Sequence, residues 1–269
     1  MGRERPVSAL AIAGSDSGGG AGIQADLKTY AAHGVHGLTA IAALTAQHTR
    51  GVTAVHVPPP AFLRAQVDAC FDDFAIGAVK LGMLADAEVI GVVAGALHAH
   101  RPPRIVLDPV MVATSGARLL APEALDVLRT QLLPMADVLT PNIPEAELLL
   151  GRTIADGDGA DRAARDLLSA GARAVLLKGG HLDEGERVVD RFRAEGIAID
   201  MVHERIDVEG HGTGCTLASA IAAQLCLGQV PAEACRLATD YVARALRLGS
   251  RPGRGPVTVL DHFGAARSP

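Results

Sequence analysis

The sequence predicts an α/β fold, with a largely parallel sheet covered by helices on both faces. Three observations carry this. Short apolar runs alternate with helical patterns along most of the chain. Hydrophobic residues make up 49% of the chain, yet aromatic residues only 3% and there is no Trp, so the core must be Ala, Val, Leu and Ile. Small aliphatic side chains suit helices packed closely on a parallel sheet. Finally, no internal repeat, low-complexity tract or linker divides the 269 residues, which predicts one large domain over 1–269.

The elements follow in order. Apolar runs at 8–14 (SALAIAG), 38–45, 75–82, 104–110, 136–142 and 174–180 predict buried strands. Between them, 23–34, 60–74, 86–100, 122–134 and 159–171 carry helical periodicity. Alternation of this kind requires right-handed crossovers and therefore parallel pairing. After Gly180 the chain turns more polar. Residues 187–196 and 197–208 predict two extended segments joined near Glu195-Gly196, a small antiparallel addition at one edge. Two helices close the chain at 213–227 and 231–248, the second with Pro231 near its start.

Bulk properties narrow the class of function. A net charge of −5 without a long basic run argues against nucleic acid as a partner. No uninterrupted apolar run approaches the ~18 residues that a membrane span needs. The opening MGRERPVSALAIAG has too short an apolar run for a signal peptide. Cys70, Cys215, Cys226 and Cys235 form neither a C-x-x-C pair nor a zinc-like spacing. A reduced, cytoplasmic protein is the expectation.

In an open parallel sheet, ligands bind beyond the C-terminal ends of the strands. The residues with chemical potential gather there: Gly14-Ser15-Asp16, Gln47, Lys80 to Met83, Asp108, Asn142 and Lys178-Gly179-Gly180. The loop GSDSGGGAGIQADLK contains Gly20-x-Gly22-x-x-Ala25, which matches a dinucleotide fingerprint. That fingerprint needs an acid for the ribose about 20 residues further on. From His33 to Val67 there is no Asp or Glu, and no G-x-x-x-x-G-K-[ST] occurs anywhere. Dehydrogenase and P-loop readings are both disfavoured.

Asp108 in VLDPV stands at the mouth of an apolar strand, and Asn142 and Glu145 form N-x-x-E at a strand-to-helix turn. Oxygen ligands on short turns suit Mg2+, which keeps its waters and bridges to phosphates. Asn142 and Glu145 equally suit a helix N-cap and its first-turn partner. EGHGTGCTLASAIAAQL at 209–225 sets Gly212, Gly214 and Cys215 at a helix start, where free N–H groups and the helix dipole favour an anion. A thiol in that field is expected to ionise more readily than a free one. His211 reads as structural. Together with Lys178 in LLKGG, these residues favour metal and phosphate.

The same motifs carry a resemblance. AGSDSGGGAGIQADLK, TAQHTRGV, KLGML, VLDPVM with SG at 115–116, LTPNIPEAELLLG, LLKGGH and HGTGCTLASAIAA span nearly the whole chain. Together they resemble the hydroxymethylpyrimidine/phosphomethylpyrimidine kinases of thiamine biosynthesis, within the ribokinase-like superfamily. The resemblance implies a three-layer α/β/α fold and a homodimer. It also implies ATP- and Mg2+-dependent phosphorylation of a hydroxymethyl aminopyrimidine, then of its monophosphate.

By position, the resemblance implies that Gln47, Gly14, Asp26, Met83 and Val110 bind the pyrimidine. Asp108, Asn142 and Glu145 would serve the metal. Lys178, Thr213, Gly214 and Asn142 would meet ATP, and Gly212 to Cys215 would form an anion hole with Cys215 and Lys178 as catalytic groups. One departure is visible: Gly210 stands where the family commonly has Thr, which removes a hydroxyl near the nucleotide. A pyridoxal kinase is the near alternative, and a non-catalytic nucleotide-binding protein the distant one.

Overall fold

The computed structural model describes residues 6–112, 116 and 119–267. Its centre is β1 (Ser8–Asp16), whose side chains are almost all buried. Alternation along this strand divides the molecule. Leu10 and Ile12 face one core, and Ala9 and Ala11 face the other. Successive strand residues point to opposite faces, so a strand apolar at every position must be covered twice.

Nine strands form one sheet in the order β3-β2-β1-β4-β5-β6-β7-β8-β9. Parallel pairing links β2 (His36–His48), β1, β4 (Ile76–Leu81), β5 (Ile105–Leu107), β6 (Val138–Leu139) and β7 (Ala174–Leu177). The expected hairpin at the far edge is present as β8 (Arg187–Ala194) and β9 (Ile197–Glu204), antiparallel to β7 and to each other. A second antiparallel edge was not expected. β3 (Gly51–His56) folds back on β2, and its mostly exposed side chains leave only a weak apolar signal.

One face is covered by α2 (Pro60–Asp73), α3 (Ala87–His100), α5 (Ile143–Leu150) and α6 (Gly157–Ser169), through Leu63, Ile90, Ala146 and Leu167. The other carries α1 (Gly22–Ala32), α7 (Thr213–Cys226) and α8 (Pro231–Arg247), through Tyr30, Ala218, Ala222 and Ala238. Alanines on both α7 and the strands beneath it let this helix lie close to the sheet, which brings its N-terminus to the strand ends.

The helix expected over 122–134 is broken. Ala124–Val127 forms the α-helical turn α4, followed by a π turn at Leu128–Leu132 and a 3-10 turn at Leu133–Met135. Pro134 has no N–H to continue an α-helical ladder, and the chain ends in a tighter turn. A short parallel pair, β10 (Gly210–His211) with β11 (Thr258–Val259), lies just before α7. Among the described residues no helix is long and apolar enough to cross a membrane.

Candidate active site

A cavity of about 620 Å3 opens along the C-terminal edge of the parallel strands. Nearly every position singled out in the sequence lies on its wall. Gly14, Gln47, Met83 and Val110 line the cavity, as do Asp108, Asn142, Glu145 and Lys178, together with Gly212, Thr213, Gly214 and Cys215 at the start of α7. Irregularities in strand pairing fall at two of these places, between Ala13 and Gly14 and between Ala46 and Gln47. A bulge re-aims a side chain locally, which is common beside ligand sites. Ser115, within the motif following VLDPVM, is outside the described residues.

On the cavity wall the Lys178 ammonium lies 3.2 Å from Asp108 Oδ1 and 3.8 Å from Glu145 Oε2. Thr140 Oγ1 also donates to Asp108 Oδ1 at 3.3 Å. The second carboxylate oxygen, Asp108 Oδ2, is buried without a hydrogen-bond partner. A buried oxygen of this kind is costly unless something occupies the space before it. Asn142 and Glu145 form a full capping box on α5. Asn142 Oδ1 accepts from the Glu145 N–H, and Glu145 Oε2 accepts from the Asn142 N–H, both at 2.8 Å. The helix-cap reading of these two residues therefore holds, and it leaves Glu145 Oε1 outside the cap.

Burial pushes the Glu145 carboxyl up to about 7, with the Lys178 ammonium opposing the shift and Asp108 reinforcing it. Lys178 itself is held above its ordinary range. Burial works against its charge, but Asp108 and Glu145 outweigh it. Among the described residues, no group of three or more His, Cys, Asp or Glu side chains is arranged to hold a metal alone. The expected trio is therefore not a preformed cage. Asp108 Oδ2 and the nearby Glu145 nevertheless fit a cation that takes its remaining ligands from water and phosphate.

The Lys178 segment is clamped from behind. Asp190 on β8, itself buried, accepts from the Gly179 N–H at 2.8 Å. A Cβ on Gly179 would lie 2.1 Å from the Val189 carbonyl oxygen. Only glycine lets the loop pass this close.

At α7 the N-cap is Gly212, with φ +85° and no side-chain cap. A side chain there would meet the Gly20 carbonyl oxygen at 2.0 Å. The first-turn N–H groups of a helix have no intrahelical acceptor, and the residues bearing them line the cavity. A Cβ on Gly214 would point at Lys178 Nζ (3.3 Å) and Asp108 Oδ2 (3.5 Å). The start of α7 and the Lys178 ammonium thus face each other across one glycine.

Two expectations change. The thiol of Cys215 lines the cavity, but burial pushes it up to about 11, with Lys80 opposing and Asp26 and Asp108 reinforcing. Desolvation outweighs the helix terminus, and the free thiol is protonated at neutral pH. Asp26 does not reach the cavity wall. It is fully buried behind it, bonded to Lys80 Nζ at 2.9 and 3.0 Å and accepting from Ser219 Oγ at 2.7 Å. Burial raises the Asp26 carboxyl above the usual carboxylate range, with Lys80 and Ser219 opposing the shift. Lys80 stays charged because Asp26 outweighs its own burial.

The structure also gives a partner to Asp16, which the sequence places at the ligand edge, and brings in residues that the sequence did not single out for binding. Asp16 gathers the glycine loop by accepting from the N–H groups of Gly18 (2.7 Å), Gly20 (3.0 Å) and Ala21 (2.8 Å). His211 Nε2 lies 3.0 Å from the same carboxylate. Burial opposes ionisation of Asp16, but His211 and these N–H groups prevail and hold it below the usual carboxylate range. Leu217, Thr239, Val242 and Leu246 supply an apolar wall beyond Gly210. Val242 and Leu246 are one helical turn apart on α8, a spacing that any amphipathic helix shows, so nothing marked them in advance.

Comparisons with known proteins agree with this site. The phosphomethylpyrimidine kinase family matches residues 16–260. The chain is 49% identical over 262 residues to a hydroxymethylpyrimidine/phosphomethylpyrimidine kinase of Rhizobium meliloti, covering 95% of this chain and 96% of that one. It is 48% identical over 248 residues to a thiamine biosynthesis bifunctional protein of Geobacter sulfurreducens, covering 92% of this chain and only 51% of that longer protein. Among solved structures, an ADP complex of Bacillus subtilis pyridoxal kinase matches with a TM-score of 0.90 at 33% identity, covering 98% of this chain and 100% of that one. The parallel sheet, its antiparallel edges and the helices on both sides are therefore those of the ribokinase-like kinases, and the chain belongs to the phosphomethylpyrimidine kinase family.

Proposed function

We propose that this protein transfers the γ-phosphoryl group of ATP to the hydroxymethyl group of an aminopyrimidine, then to the resulting monophosphate, in thiamine biosynthesis. The observation that carries the reading is the meeting of Lys178, Asp108 and the glycine start of α7 at one point of the cavity. Phosphoryl transfer asks mainly for positioning and for positive charge around the moving group. Lys178 would hold the phosphates, and the N–H groups of Thr213, Gly214 and Cys215 would receive charge on the equatorial oxygens. The apolar wall of Leu217, Val242 and Leu246 would take the nucleotide base, with Asn142 near its phosphates.

Asp108, with Glu145 through water, would hold Mg2+, and Asn142 would position Glu145 through the capping box. When bound, the ion neutralises phosphate charge and orients the phosphates for in-line transfer. At the other end Gln47, Gly14, Met83 and Val110 would hold the pyrimidine, leaving its hydroxymethyl group beside Cys215. Since that thiol is protonated in the free protein, Cys215 would take the alcohol's proton only in its thiolate form, after losing its own proton, and as the bond to phosphorus forms. A dissociative transition state makes that demand small.

A pyridoxal kinase is the second reading, favoured by the shape match to the Bacillus subtilis enzyme. The pyrimidine reading is better supported, because identity is higher to a pyrimidine kinase (49%) than to the pyridoxal kinase (33%). We further read the chain as one domain, a homodimer and a cytoplasmic protein without nucleic-acid or membrane partners. The test is turnover with MgATP and each alcohol in turn. A higher kcat/KM for the hydroxymethylpyrimidine is expected, and transfer to pyridoxal alone would overturn the assignment.

A further inference from the structure

Two polar side chains, Thr45 and His211, face the amide of Gln47, Asp16 anchors the second, and their hydrogen bonds favour one orientation of the amide. The Asp16 carboxylate already accepts three backbone N–H groups, one on Oδ1 and two on Oδ2. A carboxylate so occupied is an acceptor only, so the Nε2 of His211, 3.0 Å from Oδ2, must carry the proton and donate it. On the other side, Thr45 Oγ1 lies 2.9 Å from the Ser15 carbonyl oxygen and 3.0 Å from Gln47 Oε1. Its single proton cannot serve two acceptors fully. Meanwhile Gln47 Nε2 faces His211 Nε2 at 3.4 Å, an N–H against an N–H.

A half turn of the amide about its last bond frees the Thr45 proton for Ser15 and replaces the N–H against N–H contact with an oxygen facing the His211 N–H, which still donates chiefly to Asp16. Thr45 then donates to Ser15 and accepts from Gln47 Nε2, while Gln47 Oε1 faces the His211 N–H. The backbone cannot slide to evade this choice. The Gln47 N–H donates to Ser17 Oγ, and the Ser17 hydroxyl donates to the Gln47 carbonyl, both at 2.8 Å.

We propose that Asp16, His211 and Thr45 are positioning residues that fix the polarity of the Gln47 amide, and thereby set which ring edge the acceptor site takes. This rests on the assignment of Gln47 to the acceptor end of the cavity. Locked in this way, Gln47 keeps one N–H on its Thr45 side and one oxygen lone pair on its His211 side for a ligand. The complementary edge is a ring nitrogen beside an exocyclic amine, in that order. An oxo analogue, with a ring N–H beside a carbonyl, presents the reverse order and leaves both pairs opposed.

The test compares kcat/KM for the aminopyrimidine alcohol and its oxo analogue in the wild type, His211→Leu, His211→Gln and Thr45→Val. The wild type should favour the amine by about tenfold or more, the scale of one unpaired polar group. His211→Leu and Thr45→Val should each bring the two substrates toward parity. His211→Gln, which restores a donor near the same point, should recover the preference. A purely structural role would lower both substrates equally, and an unchanged ratio in His211→Leu and Thr45→Val overturns the proposal.

NMR of the unliganded protein gives a readout independent of turnover. The Gln47 side-chain amide protons, assigned by their loss in Gln47→Leu, should show contacts to Thr45 Hβ. Contacts to the His211 ring protons instead would overturn it. A wild type that phosphorylates neither alcohol contradicts the acceptor assignment, while the amide contacts still decide the orientation.

Discussion

Lys178 Nζ lies 3.2 Å from Asp108 Oδ1, in the gap between the end of β7 and the start of α7. The Lys178 side chain is only 17% exposed and that of Asp108 2%, so water screens neither charge well. In the proposed reaction the pair would exchange partners: phosphate for the lysine, and a cation for the carboxylate.

Lys178→Met keeps the length of the side chain and removes its charge. It should lower kcat on the order of 10²–10³-fold, the scale of a lost electrostatic contact to the transition state. Steady-state kinetics check this, with far-UV circular dichroism to establish that the fold is retained.

Glu145→Gln separates the capping role from the charge. The Gln oxygen still accepts the Asn142 N–H, so the α5 cap survives while the carboxylate is lost. The Mg2+ concentration for half-maximal activity should rise. An unchanged titration would return Glu145 to a capping role alone. Without metal or nucleotide, a stability effect follows as well. The folded-state pKa, about 7, lies above the ordinary 4.5. Its contribution is fully present below pH 4.5 and is lost as pH rises toward 7. Thermal melts across that window should show a shallower decline in Glu145→Gln than in the wild type.

The Cys215 thiol, raised to about 11, should resist alkylation at neutral pH. Its rate of modification should climb steadily with pH up to that value, because only the thiolate reacts. Cys215→Ala keeps the backbone N–H and loses the thiol, and kcat should fall by about 10²-fold at most. Alkylation that levels off near pH 7, read by mass spectrometry, would restore the ionised thiol.

Gly212→Ala should destabilise the protein strongly, by roughly 3 kcal/mol or more, since a Cβ would strike the Gly20 carbonyl oxygen at 2.0 Å with φ at +85°. Chemical denaturation checks the loss. A wild-type midpoint would mean that the two loops separate readily.

Much of this site was legible in the sequence because a parallel sheet sends the ends of its strands to one edge. Gly14, Gln47, Asp108, Asn142 and Lys178 each follow or close an apolar run, and topology alone gathers them. What stayed hidden depends on contacts between distant segments. Asp16 and His211 each lie in a recognisable motif, but nothing local shows that they meet across 195 positions. Asp26 lies in a recognisable motif, yet only the fold shows it turned inward toward Lys80. The thiol of Cys215 was misjudged because the helix start is visible in the sequence and the depth of burial is not. The strand β3 escaped for the opposite reason, being too exposed to leave an apolar pattern.

The central claim is that one cavity phosphorylates the pyrimidine alcohol and then its monophosphate. The most direct measurement incubates the purified protein with MgATP and the hydroxymethylpyrimidine and follows products by mass over time. The account predicts the monophosphate rising first and the diphosphate replacing it, with both steps lost together in Lys178→Met. A product that stops at the monophosphate, or no transfer to the pyrimidine alongside efficient transfer to pyridoxal, would contradict it.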